Sequence, residues 1–138
     1  MFSECHISLN DRQISSESNY AYKTYLQSML FHLESSQKNF LSAGMFYKDT
    51  PDAFDDTDPT AAGKNTGLQH RFERVKGGGE IFDMCGMLHT DLGTQLRLLI
   101  SGTTTRVRLF KAKDNFSLSA KTGDFRLQIE NMSPYSKM

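Results

Sequence analysis

The side chains that could do chemistry are few, and their spacing argues against most of it. Cys5, His6, Cys85 and His89 carry the atoms of a zinc site. Adjacent residues on a strand point to opposite faces, so Cys5 and His6 cannot turn to one ion, and Cys85 has no nearby cysteine to share with His89. His89-Thr90-Asp91 offers an imidazole and a carboxylate for general-base work, yet no serine or cysteine nucleophile can be named beside it. Asp49, Asp52, Asp55, Asp56 and Asp58 crowd one short stretch. A calcium loop alternates its ligands, bends at a central glycine and closes on a glutamate. This run does none of these and reads as solvated charge.

Gly77-Gly78-Gly79 could cradle a phosphate only with the Lys-Ser/Thr of a P-loop or the spaced glycines of a dinucleotide fold, and it has neither. It reads as a flexible corner. Arg97, Arg106, Arg108, Lys111 and Lys113 gather near Phe110 and Phe116. On an alternating strand such charges form an outer, solvated face, so nucleic acid is not expected as a partner. The residues give no catalytic constellation, and neither an enzyme activity, a cofactor, a metal nor a small-molecule substrate is expected.

The totals point the same way. Sixteen basic and sixteen acidic residues cancel, which removes a global electrostatic case for nucleic acid or an anionic membrane. No apolar run approaches the roughly 20 residues of a membrane span. The first residues, Met1-Phe2-Ser3-Glu4, lack the basic start and apolar core of a signal peptide, so an intracellular protein is expected. Two cysteines are too few for a disulfide scaffold and are expected to be reduced and partly buried. At 138 residues with ten phenylalanines, one domain with a thin, aromatic-rich core is expected.

The positioning elements are mostly strands. Cys5, Ile7 and Leu9 alternate with His6 and Ser8, and Asn10-Asp11 makes a turn into Arg12-Gln13-Ile14. After the polar cluster 15–19, Tyr22, Leu26, Met29, Leu30 and Leu33 recur at helical spacing, with Tyr25 widening the stripe. This predicts a helix over 19–34 whose stripe is core. Residues 37–47 hold a second short helical or irregular segment. Residues 48–67, with Pro51, Pro59, Gly63 and the five aspartates, form a long exposed loop. Leu68, Phe72 and Val75 share one face of a helix over 68–76.

The most regular stretch is 80–125, together with the residues just after it. Apolar runs at 81–88 and 96–100 precede Ser101-Gly102, a turn that would fold 96–100, with Leu98 and Ile100, onto a strand over 103–111. There Thr105, Val107 and Leu109 face one way and Arg106 and Arg108 the other. After the turn 121–124, Phe125, Leu127 and Ile129 alternate with Arg126 and Gln128. Several short strands predict a mainly β fold with a helical insertion: an antiparallel sandwich over 1–131, the loop 48–67 within it, and a tail at 132–138. The core candidates are Ile7, Leu9, Tyr22, Leu26, Met29, Leu30, Leu98, Ile100, Val107, Leu109, Phe125, Leu127 and Ile129.

Five blocks carry a resemblance. They are residues 5–16 (CHISLNDRQISS), 19–30 (NYAYKTYLQSML), 45–50 (MFYKDT), 87–92 (MLHTDL) and 106–116 (RVRLFKAKDNF), with the strand within 124–131 after them. In this order they resemble the hexon-type major capsid protein of Polinton/Maverick elements and adintoviruses, with its tyrosine-rich helix start and its LFYKDT-like, LHxDL-like and IRLxRSKDAF-like stretches. The resemblance implies a double jelly roll that trimerises into capsomers and tiles an icosahedral shell, a virion location, other capsid subunits as partners and no catalysis. Ala21 stands where the family tends to have proline, which lets the helix start earlier. Family members are several times longer, so the chain is expected to be a partial first jelly roll from a truncated, decayed or domesticated copy. Pro134 cannot donate to a ladder and should end the pairing. The alternative reading is a small stand-alone binding module that uses the acidic loop or the Arg106/Arg108 face.

Overall fold

A computed structural model describes residues 1–61, 64–75, 81–95, 99–118 and 124–135. The chain divides into two compact units, one of residues 1–25 with 89–138 and one of residues 26–88. It is a mixed α/β chain with one three-stranded antiparallel sheet and a few helices.

The first unit is built on the expected alternation. β1 (Phe2–Leu9) turns at Asn10 and Asp11 into β2 (Arg12–Glu17). Both turn residues have positive φ, 47° and 63°, the pair of left-handed conformations that a tight hairpin twisted with its strands demands. Asparagine and aspartate tolerate that region better than other non-glycine residues. β3 (Thr105–Lys111) returns from the far end of the sequence to lie on the other side of β1, giving the order β2-β1-β3 with both pairings antiparallel. The corner is tied from both sides: Asn10 N–H donates to the Thr104 carbonyl, and Thr104 N–H donates to Asn10 Oδ1, each at 2.9 Å. A short helix over Asp114–Ser117 comes after β3, beyond one short link.

α1 (Tyr20–Phe31) begins in this unit, within the span predicted for it. The second unit continues with α2 (Glu34–Asn39), a 3-10 turn over Leu41–Gly44 and α3 (Thr66–Val75), so the short helix at 114–117 is α4. Asn65 caps α3, its Oδ1 accepting the Leu68 N–H at 3.1 Å while its Nδ2 donates to the Ala53 carbonyl at 3.1 Å. Residues 48–61 of the expected loop are irregular but anchored, and α3 begins at Thr66, inside the span predicted as loop. Arg71 donates to the Tyr47 carbonyl at 2.8 Å and meets Asp49 Oδ1 at 2.5 Å. Gly67 lies so near the loop that a Cβ there would come within 2.6 Å of the Lys48 carbonyl oxygen.

Several expectations fail in instructive ways. Residues 125–129 join no ladder, and the Leu127 N–H donates instead to Asp114 Oδ1 at 3.2 Å. Leu99 and Ile100 are not strand either. The Ser101-Gly102 turn forms, with Gly102 at φ 84°, and β3 pairs with β1, while Leu99 and Ile100 join no described ladder. Ile100 is 83% exposed rather than core. Residues 81–88 have no regular structure and are mostly exposed. Cys85 is exposed, whereas Cys5 is buried; both are free thiols. Leu98, the Gly77–Gly79 corner and most of the 121–124 turn lie outside the described residues.

The largest correction concerns α1. Its buried side is Tyr20 and Ser28, with Thr24 and Gln27 half-buried, at spacings i, i+4, i+7 and i+8. This face lies roughly opposite the predicted apolar stripe at about 100° per residue. Tyr22, Leu26 and Leu30 are exposed, Leu30 at 74%, and Met29 alone of the stripe on this helix is half-buried. Hydrogen bonding explains the rotation. Tyr20, Lys23 and the carbonyl of Ser28 all have polar partners outside the helix, and turning the stripe inward would strand them.

Candidate functional site

Residues directly opposite on neighbouring strands share a face, so the register decides which side chains meet. Cys5 stands opposite Leu109 and Glu17, Ile7 opposite Val107 and Ser15, and Leu9 opposite Thr105. On this face Cys5 is 0% and Ile7 1% exposed, while Leu9 and Leu109 are half-buried and Val107 remains exposed on the outer strand. The other face carries Glu4, His6, Arg106, Arg108 and Phe110, with the His6 and Phe110 rings 4.9 Å apart. Of the predicted core, then, Ile7 is fully buried, and Leu9, Met29, Leu109 and Leu127 are partly so. Phe125 and Ile129 are exposed.

One constellation is not visible as such in the sequence. Tyr20, 5% exposed, receives the His89 N–H on its hydroxyl oxygen at 3.1 Å. Lys23 Nζ bridges Glu17 Oε1 at 2.6 Å and Asp91 Oδ1 at 3.2 Å. Thr90, buried, caps the turn after it: its Oγ1 accepts the Gly93 N–H at 3.2 Å, and its carbonyl accepts from Thr94. The signal is present in the Thr90-Asp91-Leu92-Gly93 spacing, which is that of a side-chain-capped turn. The carboxylate next to an imidazole invites a catalytic reading instead, but Asp91 faces Lys23.

Electrostatically this cluster holds protons rather than releasing them. Burial, and then the Glu17 carboxylate, push the Cys5 thiol up, with Lys23 opposing. Burial also pushes the Tyr20 hydroxyl up, and the Glu17 hydrogen bond does the same for Lys23. At neutral pH the thiol, phenol and ammonium all keep their protons. The arrangement fastens the 89–94 turn to the start of α1 beside the sheet. Among the described residues no three His, Cys, Asp or Glu side chains converge as a metal site. Asp49 is engaged by Arg71, and Arg106 by Asp11 at 3.0 Å. No described helix is long and apolar enough to cross a membrane.

What remains outward is the sheet margin. Asn10 and Thr104 bond to each other across the β1–β3 ladder. In an antiparallel pair such bonding recurs at every second residue, so Arg106, Arg108 and Phe110 aim their backbone groups at β1. Those of Thr105, Val107 and Leu109 then point away from the sheet. No protein-family model, curated protein or solved structure matches the chain.

Proposed function

We propose that this chain is a structural piece of a hexon-type major capsid protein of the Polinton/Maverick and adintovirus kind, acting by packing against other subunits rather than by catalysis. The observation that supports the reading best is the sheet order β2-β1-β3, in which β3 reaches β1 by a connection running from residue 18 to residue 104. A hairpin joined by a distant strand on the far side of its first member is the kind of return that Greek-key jelly rolls use. The exposed apolar side chains add support. Tyr22, Leu26, Leu30 and Phe31 on α1, and Val107 and Phe110 on β3, suit surfaces that another polypeptide covers.

On this reading the three strands are one layer of a partial jelly-roll sandwich, and the facing layer comes from elsewhere in the assembly. The partners are other capsid subunits, a homotrimer in the parent family, and the location is the virion. The stand-alone binding module draws no comparable support, since Asp49 and Arg106 are each paired within the chain.

The test is co-expression of the tagged chain with a full-length hexon-type capsid protein of that family. The chain is expected to elute with the capsomers and to enter particles with them. Normal capsomers that exclude the chain at every ratio would sink the reading.

A further inference from the structure

We draw no further inference here: the strongest candidate, the exposed apolar stripe of Tyr22, Leu26 and Leu30 along α1, carries none, because nothing in the structure shows what covers it.

Discussion

The Tyr20 hydroxyl oxygen receives the backbone N–H of His89 at 3.1 Å, across 69 residues of sequence. Tyr20 is buried, so the bond is made away from bulk water, where losing one partner leaves the other unsatisfied. Tyr20→Phe keeps the ring and deletes the acceptor. It should cost about 1–3 kcal/mol in urea unfolding, and hydrogen exchange at the His89 amide should speed up.

Lys23, Cys5 and Tyr20 give the fold an alkaline limit. All three are shifted upward in the folded chain. Each contributes stability that is fully present below its unfolded value, about 8.5 for the thiol and about 10 for the other two, and that is lost as pH rises through the folded value. The urea midpoint should therefore fall from about pH 8.5 upward. Lys23→Met should lower stability by about 1 kcal/mol at pH 7 and make the alkaline decline shallower above about pH 10. A decline of unchanged shape would remove Lys23 from the explanation.

Ile7 and Leu30 have similar side chains in opposite surroundings, 1% and 74% exposed. Ile7→Ala should cost about 2–5 kcal/mol, through lost burial and the cavity left behind. Leu30→Ala should stay within about 0.5 kcal/mol, despite its place in an apolar helical stripe. Equal losses in thermal or chemical unfolding would mean that the helix buries the stripe.

Gly67 reverses a familiar rule. Within a helix, glycine to alanine ordinarily stabilises by about 1 kcal/mol. Here the new methyl would sit 2.6 Å from the Lys48 carbonyl oxygen and 3.0 Å from Asp49 Oδ1. Backbone cannot yield as a side-chain tip does, so Gly67→Ala should destabilise by about 1–3 kcal/mol. A gain in melting temperature would contradict the close approach.

Asn65 serves both the helix it precedes and the loop before it. Asn65→Ala loses the cap on Leu68 and the bond to Ala53, and should cost about 1–2 kcal/mol. Asn65→Asp keeps the cap and loses the second bond. It should fall between the two in denaturant unfolding.

The elements that local chemistry dictates are legible in the sequence. Alternation through Cys5, Ile7 and Leu9, a turn of Asn10 and Asp11 and the β-branched run into Val107 each specify their own conformation within a few residues. Partnership is not legible. Phe125, Leu127 and Ile129 alternate as cleanly as β1 does, but a period of two says nothing about whether a neighbouring strand is within reach. The buried face of α1 is hidden for a related reason. Tyr22, Leu26 and Leu30 obey the helical period, while the inward face is chosen by Tyr20 and Lys23, whose partners lie some 70 residues away. The polar cluster is equally hidden, because its members come from β1, β2, α1 and the 89–94 turn.

Ser3 and Phe110 are bonded across the β1–β3 ladder although 107 residues separate them. A chain made from its N-terminus at roughly 5–20 residues per second presents β1 and β2 several seconds before β3 leaves the ribosome. During that interval the young hairpin has an open flank and an apolar face with no cover, which is the circumstance in which chaperones bind nascent chains. Maturation of this molecule is thus paced by synthesis of its distal third, and a translational pause ahead of Thr105 would lengthen its most vulnerable period.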